Sequence, residues 1–516
     1  MKTRKRRNYR PSPKPPKICK EDKLNFEECE QAILREAIEE IDAFQQDNKI
    51  QNGPEIKKIM GVVEDFIRRK KLVLYGGQAI NSILPRHAQF YGATDIPDYD
   101  FFTTDSPGDA KELADIFYSI GYKDVEAKSG VHKGTQKVYV SSIPVADLTQ
   151  QDSTIFSYLQ KEAIIIDGIH YAPVNWLRMG MYLELCRTYG DTTRFEKVLK
   201  RLTLLNKYYY LKTPHDCQNI QFQRDFSEST TNQSETGDIE KIYDIVRNTF
   251  INQNVVFFGG YALSLYSQYM PPAQRRIIRK ISDFDVLSED IDRVARITIE
   301  QLKQAGFSRA NIIKYDPIGE IIPRHIEIRV SGETVAFLYE PDECVNYNEI
   351  SPEKMRIASI DTILRFYLAF IYTGRHYYNI DRLLCMANFL FRVQQENRLS
   401  QSGILRRFTT TCIGKQHTLE DIRAEKTKEF NRLRGNKCDP EYEQWFLKYI
   451  PSKDSNTEKK NMKNETATSY SGFIKKSDTE TREKEYSKSK SLKKKRTQKR
   501  RIMSKKDTSK NSYLFG

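Results

Sequence analysis

Two glycines and three aspartates are the residues of this sequence whose types and spacing suggest chemistry. Gly76 and Gly77 follow KLVLY, a short apolar run that predicts a strand ending in a turn. Asp98 and Asp100 flank Tyr99 in PDYDFF, which predicts the next strand, so both carboxylates project from one face. Two like charges side by side are costly unless a cation lies between them. The pattern indicates an oxygen-ligand site for Mg²⁺ or Mn²⁺, with substrate phosphates completing the coordination.

A third carboxylate, Asp147, ends a later predicted strand in the apolar context VADLT. On a strand adjacent to the first pair, it would complete a two-metal cluster. Two simpler interpretations exist: the pair are acids at a strand edge, and Asp147 caps a turn or helix, since Thr149 and Asp152 follow closely. The order Gly-Gly, Asp-x-Asp, Asp favours the metal site.

Other polar residues near these motifs are weaker candidates. Asn81 and Ser82 lie one helical turn beyond the glycines, where they reach a phosphate or ribose or simply cap the helix locally. Lys133 and Lys137, in GVHKGTQK, would neutralise a triphosphate or occupy a solvated hairpin. The seven histidines are dispersed, and none is spaced to activate a nucleophile, so covalent catalysis has no candidate.

The two halves of the chain repeat one another, which predicts two copies of one α+β module. Four matching segments, which we call stations, occur in the same order in both halves. They are LVLYGGQAI at 72–80 with VVFFGGYAL at 255–263, PDYDFF at 97–102 with SDFDVL at 282–287, PVADLT at 144–149 with TVAFLY at 334–339, and LRMGMYLEL at 177–185 with LRFYLAF at 364–370.

The second copy keeps the Gly-Gly and the Asp-x-Asp, at 259–260 and 283–285, but loses the third carboxylate. Phe337 occupies its station, and a phenyl ring cannot ligate a metal. Glu327 and Glu340 lie nearby in the sequence without falling at the aligned position. We therefore expect a degenerate, noncatalytic module that completes an RNA groove or an oligomer interface; the alternative is a second active site.

These motifs resemble the nucleotidyltransferase superfamily of DNA polymerase β and the poly(A) polymerases. More narrowly, YGGQAINSIL, PDYDFF, VADLT and LRMGMYLELCRTYGDTTRFEKVLKRL together resemble the catalytic subunits of viral poly(A) polymerases, from poxviruses and especially giant viruses. The resemblance spans residues 60–450. It implies an α+β fold of two tandem nucleotidyltransferase-like modules, each a mixed sheet flanked by helices, with the second degenerate. One departure is the long spacing, residues 78–97, between the glycines and the first aspartate.

The resemblance implies template-independent addition of AMP from ATP to the 3′ end of RNA. Asp98, Asp100 and Asp147 would then hold two Mg²⁺ or Mn²⁺ ions, and whether Asp147 also acts as a base stays open. Two alternatives remain: a nucleotidyltransferase with another acceptor, such as a tRNA end, a protein or a small molecule, and a noncatalytic RNA-binding scaffold. The expected nucleotide-binding residues are Gly76, Gly77, Asn81 and Lys133.

The expected partners are ATP and an RNA 3′ end. The resemblance also makes a homodimer and a cap-methyltransferase-type processivity subunit plausible partners, and it implies a location in the virion and host cytoplasm. No run approaches the eighteen or so apolar residues of a membrane span, and the basic start lacks the apolar region of a secretory signal. We expect a soluble, intracellular protein without membrane association.

The net charge of +15 over 516 residues belongs to the ends of the chain. Residues 1–20 hold nine basic side chains and no acid, and residues 488–510 hold twelve basic side chains and one acid. The body is therefore mildly acidic, and global basicity is weak evidence for nucleic-acid binding by the folded part. The SLKKKRTQKRR run is an RNA-binding arm, an import signal or a solubilising tail.

Composition shifts predict the domain boundaries. The expected segments are a basic disordered tail at 1–20, a helical segment at 21–70, the catalytic module at 71–223, a polar linker at 224–238, the degenerate module at 239–450 and a basic disordered tail at 451–516. Eight cysteines occur without CxxC pairs or matching histidine spacing, which argues against zinc and predicts reduced thiols.

Overall fold

The computed structural model describes residues 25–51, 53–92, 99–215, 217, 220, 222, 236–269, 283–437 and 439–452. The predicted tail at 1–20 lies outside these residues, as does the tail at 451–516 apart from its first two residues. Residues 224–235 of the predicted linker also lie outside them, and a helix begins at Thr236. The described residues up to Tyr449 form one compact unit, whose fold is described below.

The first half of this unit contains seven α-helices and seven strands among its described residues. They are α1 (Phe26–Gln51), α2 (Gly53–Lys70), β1 (Val73–Tyr75), α3 (Gly76–Ile83), β2 (Asp100–Thr103), α4 (Ser106–Ser119), β3 (Val125–Ser129), β4 (Thr135–Val140), β5 (Ile143–Gln150), α5 (Ser153–Lys161), β6 (Ile164–Ile166), β7 (Ile169–Tyr171), α6 (Val174–Cys186) and α7 (Phe195–Tyr208).

The second half repeats much of this order within the part of the chain that is described. Its elements are α8 (Thr236–Asn252), β8 (Val256–Phe257), α9 (Gly260–Tyr266), β9 (Phe284–Leu287), α10 (Ile291–Gln304), β10 (Ala310–Tyr315), β11 (His325–Val330), β12 (Glu333–Tyr339), β13 (Val345–Ile350), β14 (Met355–Ala358), α11 (Ile360–Phe370), α12 (Ile380–Glu396), β15 (Cys412–Ile413), α13 (Leu419–Leu433), α14 (Pro440–Phe446) and β16 (Lys448–Tyr449).

Two eight-stranded mixed sheets share one topology. The first has the order β16-β3-β4-β5-β2-β1-β7-β6, and the second has the order β10-β11-β12-β9-β8-β14-β13-β15. Apart from the edge strands β16 and β15, every strand of one sheet has a counterpart at the same place in the other. The parallel pairs correspond too, since β2 runs parallel to β5 as β9 does to β12. This confirms the predicted α+β fold with two mixed sheets flanked by helices.

Local signals explain why the two modules form the same elements. Helix α4 begins after Asp105, whose side chain accepts a hydrogen bond from the Gly108 amide at 3.1 Å. Helix α10 begins in the same way after Asp290, which accepts from the Arg293 amide at 2.9 Å. Such caps satisfy amides that have no partner within the helix. Each capped helix follows the strand that carries the second aspartate of an Asp-x-Asp motif, Asp100 in β2 and Asp285 in β9.

Helices cover one face of each sheet. Helices α2 and α4 pack on the first sheet, and α8 packs with α10 in the second module, where α10 contacts the sheet. Strand β4 shows the consequence, because its residues alternate between buried and half-exposed along TQKVYV. The covered face of β4 contributes Val138 and Val140 to the core, whereas the other face presents Lys137 and Tyr139.

The chain returns to the first sheet at the end of the compact unit. Strand β16 pairs antiparallel with the edge strand β3, placing Lys448 opposite Lys128. Glu441 belongs to helix α14, which lies just before β16, and it forms an ion pair with Lys133. The two modules also meet through α6 and α11, the helices at the fourth repeated station, which pack against each other. Among the described residues, no helix combines the length and apolar composition that crossing a bilayer requires.

The expectation of reduced thiols is wrong for five cysteines within the described residues, of which Cys29 is one. Cys217 is disulfide-bonded to Cys385, and Cys344 to Cys412, with Cα atoms 5.4 and 5.3 Å apart respectively. Cys186 is a free and buried thiol. The bonded partners are 168 and 68 residues apart in sequence, and tertiary packing alone brings them together. Spacing in the sequence therefore gave no indication of these bonds.

Candidate active site

The site is built around Asp100 and Asp147 on neighbouring strands. Strands β2 and β5 run parallel in a register that places these aspartates directly opposite each other. The Asp147 amide donates to the carbonyl of Tyr99 at 2.9 Å, which continues the ladder by one residue. Laterally paired residues project from the same face of a sheet, so both carboxylates lie on the face that α2 and α4 leave uncovered. Asp98 lies outside the described residues.

The Tyr75 hydroxyl lies within the field of these carboxylates. Tyr75 is opposite Asp100 in the β1–β2 ladder, and its hydroxyl pairs with the Thr149 hydroxyl at 2.8 Å. Burial raises the pKa of the Tyr75 phenol, and the negative charges of Asp100, Asp147 and Glu320 raise it further. Glu320 belongs to the second module, so both modules contribute negative charge here. This concentration of charge favours a cationic ligand.

Lys137 is the protein cation next to the third carboxylate. It lies opposite Asp147 in the β4–β5 ladder, and its ammonium forms an ion pair with the Asp147 carboxylate. Burial works against the charged ammonium, yet the hydrogen bond and charge of Asp147 outweigh it and raise the pKa of Lys137. Of the two lysines predicted as neutralising charges, Lys137 is therefore at the site.

Gly76 is required where β1 turns into α3. Its φ of +73° lies in the left-handed region, which side chains other than glycine's rarely adopt. A methyl group at this position would also collide with the Asp100 carboxylate. The start of α3 therefore lies directly next to the Asp100 carboxylate. Amides at a helix N-terminus donate to phosphate oxygens, and the absence of a side chain lets the ligand approach the backbone.

Gly77 lies beneath Arg201, a residue that the sequence did not single out. A methyl group on Gly77 would lie 2.9 Å from both terminal nitrogens of the Arg201 guanidinium. Arg201 projects from α7, donates to the Tyr91 hydroxyl at 2.8 Å and has its guanidinium carbon 4.8 Å from the Phe90 ring centroid. A guanidinium next to a helix N-terminus adds charge-assisted donors for phosphate to those of the backbone amides. No sequence pattern relates positions 77 and 201, so only the fold reveals this pairing.

Asn81 and Lys133, both expected to bind nucleotide, have other partners in the structure. The buried Asn81 side chain accepts hydrogen bonds from the Phe90 and Tyr91 amides at 2.7 and 3.1 Å, which anchors the loop after α3. Lys133 donates to Glu441 of α14 at 2.7 Å. Their roles in nucleotide binding stay predictions, and these contacts assign Asn81 to loop structure and Lys133 to the docking of α14.

The predicted carboxylate ligands suit a hard divalent cation, but only two of the three lie within the described residues. Within those residues, no group of three or more His, Cys, Asp and Glu side chains is placed to hold a metal ion. Asp100 and Asp147 supply two adjacent carboxylates, and Asp98 is two positions before Asp100 in the undescribed segment. Carboxylate oxygens are the ligands that Mg²⁺ and Mn²⁺ prefer. The residues present therefore fit such an ion.

The second module replaces the third carboxylate at the structurally equivalent position. Phe337 of β12 lies opposite Asp285 of β9, which is the register that joins Asp147 and Asp100 in the first module. Glu327 lies opposite Phe337, at the station of Lys137. Its carboxylate is buried and bound to Arg329 at 2.7 Å and Tyr315 at 2.7 Å. Glu327 is therefore engaged by residues of its own module and does not stand at the position of Phe337.

The two sequence comparisons with known proteins point to the same family. Residues 61–191 match the model of the poly(A) polymerase catalytic subunit family. A protein of African swine fever virus (isolate Pig/Kenya/KEN-50/1950), assigned by name to these catalytic subunits, is 33% identical over 165 residues. A protein of Acanthamoeba polyphaga mimivirus with the same assignment is 30% identical over 161 residues. Both glycines, Asp100 and Asp147 lie within the matched segment.

The similarity differs in extent between sequence and structure. The African swine fever virus match covers 31% of this chain and 34% of the relative, and the mimivirus match covers 30% and 27%. The chain thus spans about a third of the length of the curated relatives it matches. The crystal structure of the Megavirus polyadenylate synthase superimposes with a TM-score of 0.67 at 18% identity, covering 83% of this chain and 89% of that one. The resemblance to viral poly(A) polymerase catalytic subunits that the motifs predicted is confirmed.

Proposed function

We propose that this chain is a polynucleotide adenylyltransferase, which adds AMP from ATP to the 3′ end of RNA in mRNA polyadenylation. The observation that carries the proposal is the apposition of Asp100 and Asp147 beside the Gly76 turn, within the segment that matches the catalytic-subunit family. The choice of AMP as the nucleotide, of RNA as the acceptor and of polyadenylation as the process is inferred from the names of the relatives. The residues themselves support nucleotidyl transfer.

The chain's own groups divide the work of the reaction. The amides of Gly76 and Gly77, with the Arg201 guanidinium, would hold the β- and γ-phosphates and orient the triphosphate. Asp100 and Asp147 would position the reacting centre, and Lys137 would hold Asp147 in place. Mg²⁺ or Mn²⁺ held by Asp98, Asp100 and Asp147 would supply a lowered pKa for the attacking hydroxyl and neutralisation of the leaving pyrophosphate.

The proposal extends to the setting of the enzyme. A homodimer, a processivity subunit of the cap-methyltransferase type and a location in the virion and host cytoplasm are the expectations that accompany it. Each is an expectation that the resemblance to viral poly(A) polymerase catalytic subunits implies. The second module, with Phe337 at the metal station, would serve as a noncatalytic support for the first.

An extension assay tests the proposal. Purified full-length protein is mixed with a labelled RNA oligonucleotide, Mg²⁺ or Mn²⁺ and each NTP separately, alongside an Asp98→Ala/Asp100→Ala double variant. Long ladders with ATP, absent for the variant, are the expected result. Transfer to a protein or a small hydroxyl compound in preference to RNA would favour the other acceptors. RNA binding without any metal-dependent product would favour the scaffold.

A further inference from the structure

A row of side chains crosses the open face of the first sheet from the aspartates outward. The registers of β5, β4, β3 and β16 pair Asp147 with Lys137, Lys137 with Lys128, and Lys128 with Lys448. Laterally paired residues project from the same face, so the three lysines continue the line that begins at Asp100 and Asp147. With strands about 4.8 Å apart, Lys448 lies about 14 Å from Asp147.

The face that carries this row is accessible. The side chains of Lys137 and Lys128 are 34% and 43% exposed, and Lys448 is exposed. Tyr139 lies on the same face, half-exposed, with the Lys128 ammonium 4.1 Å from its ring centroid. Glu126 of β3 also lies on this face, and its carboxylate accepts a hydrogen bond from Lys128 at 2.9 Å. Each ammonium has three donors, so Lys128 and Lys137 retain donors beyond their carboxylate partners.

The second module shows that the fold itself does not require this row. At the stations of Lys137 and Lys128 it carries Glu327 and Ile313. Its equivalent face is packed, because Tyr377 lies with its ring centroid 5.3 Å from that of Phe337. The open basic face is therefore specific to the module that retains Asp147.

The two sides of the aspartate pair differ in what they can bind. On the β1 side lies the start of α3 with Gly76 and Gly77 beneath Arg201, which suits a terminal triphosphate. On the β4 side lies the row of lysines. Nucleotidyl transfer is an in-line displacement, so the attacking hydroxyl and the leaving pyrophosphate lie on opposite sides of the α-phosphorus. If pyrophosphate leaves toward α3, the hydroxyl enters from the lysine side.

We infer that the face formed by Lys137, Lys128, Lys448 and Tyr139 binds the 3′-terminal segment of the RNA acceptor as a single strand. The lysines contact successive phosphates, and Tyr139 offers a ring on which a base stacks. The direction of the strand, with its 3′ end at the aspartates, rests on the proposed function. Binding of single-stranded RNA to this face does not.

Fluorescence anisotropy with the full chain and a labelled unstructured RNA oligonucleotide, without ATP, tests the inference. Lys128→Gln/Lys448→Gln should raise the RNA Kd about tenfold and reduce the slope of log Kd against log salt by about 1.4, since each lost contact to a single strand removes about 0.7. Glu126→Gln should lower the Kd, because it removes a negative charge that is paired with Lys128. The matched control is Lys303→Gln/Lys354→Gln, which removes two exposed lysines of the second module and should leave the Kd unchanged.

Two results would overturn the inference. One is an RNA Kd that neither Lys128→Gln/Lys448→Gln nor Glu126→Gln changes; the other is an equal loss in the Lys303→Gln/Lys354→Gln control, which would indicate a general charge effect. In extension assays, Lys128→Gln/Lys448→Gln should raise the KM for RNA and leave the KM for ATP unaltered. A wild-type chain that binds RNA through this face but adds no nucleotide would defeat the proposed function alone.

Discussion

Asp147 lies directly opposite Asp100 in a parallel ladder, and Phe337 lies in the same relation to Asp285. The two modules thus keep one backbone arrangement and differ in a single carboxylate at the position where chemistry would occur. A phenyl ring supplies no oxygen ligand, so the geometry distinguishes the two modules without any difference in fold. This relationship provides matched controls for mutagenesis.

Asp100→Asn should lower nucleotide addition about a thousandfold or more, judged from the loss of a single preorganised electrostatic group. Asp285→Asn, the equivalent change in the second module, should leave turnover close to wild type. Initial rates of RNA extension at saturating ATP measure both, with circular dichroism to confirm folding. Comparable losses in the two variants would mean that the second module takes part in catalysis.

Gly76→Ala should lower turnover on the order of a hundredfold, because a misplacement of about 1 Å at a reacting centre has an effect of that size. The substituted residue would be strained at φ +73°, and its methyl group would displace the Asp100 carboxylate. Gly180→Ala, in helix α6 with open space around its Cα, is the matched control and should be neutral or stabilising. Wild-type rates for Gly76→Ala would show that the aspartate tolerates the shift.

Arg201→Gln should raise KM for ATP about tenfold or more, since a hydrogen bond to a charged group contributes about 1.5–3 kcal/mol. Arg201→Lys should recover only part of the loss because an ammonium lacks the planar fork of a guanidinium. Lys200→Gln removes the same charge from the adjacent, exposed position of α7 and serves as the control. Steady-state kinetics at varied ATP distinguish this role from an effect on RNA; an unchanged KM for ATP in Arg201→Gln would refute it.

Asp361→Ala should destabilise the chain by about 3–5 kcal/mol, the cost of leaving a buried charge without its partner. The fully buried Asp361 carboxylate accepts from the Arg407 guanidinium at 2.6 and 2.9 Å and from Gln394 at 3.1 Å. Urea unfolding measures the change in free energy. The exposed pair of Lys200 with Glu196 provides the contrast, and Glu196→Gln should shift the midpoint very little.

The second module should lose stability as pH falls below about 6.5, the ordinary pKa of histidine. The buried His325 ring lies between Tyr315 and Tyr339, with both ring centroids 5.0 Å away. Burial lowers the pKa of His325, and Arg375 lowers it further, while the hydrogen bond to Pro323 and the charge of Glu327 oppose them. The unfolded chain then binds the proton more readily than the folded chain, so acid favours unfolding.

Urea unfolding at about pH 7.5 and about pH 5.5 measures this loss for the wild type and for His325→Phe, which retains an aromatic ring without the titrating nitrogen. The loss on acidification should be smaller in the variant. An identical pH dependence in the two proteins would assign the effect to other groups.

Much of the fold followed from local pattern. The strand predicted in KLVLY is β1 (Val73–Tyr75), the strand predicted in PDYDFF is β2 (Asp100–Thr103), and the later strand predicted to carry Asp147 is β5 (Ile143–Gln150). Short-range periodicity and capping residues determine such elements, so a sequence displays them directly. Boundaries moved by a few residues because the last turn of an element depends on its tertiary neighbours.

Local sequence pattern did not predict contacts between residues that are far apart in the chain. Arg201 over Gly77, Lys133 with Glu441 and the disulfide of Cys217 with Cys385 join residues far apart in the chain. Nothing in the periodicity around either partner encodes such a contact, because it arises from how completed elements pack. The cysteine expectation failed for this reason.

The sequence by itself determined the repeated module, the order of its motifs and the chemical type of residue at each station, including the phenylalanine that replaces a carboxylate. The tertiary structure decided which of these residues become neighbours in space. Strand register placed Asp147 beside Asp100 and aligned Lys137, Lys128 and Lys448 on one open face. The physical reason is that alternation along a strand fixes the face of each side chain, whereas its lateral neighbours depend on pairing between distant segments.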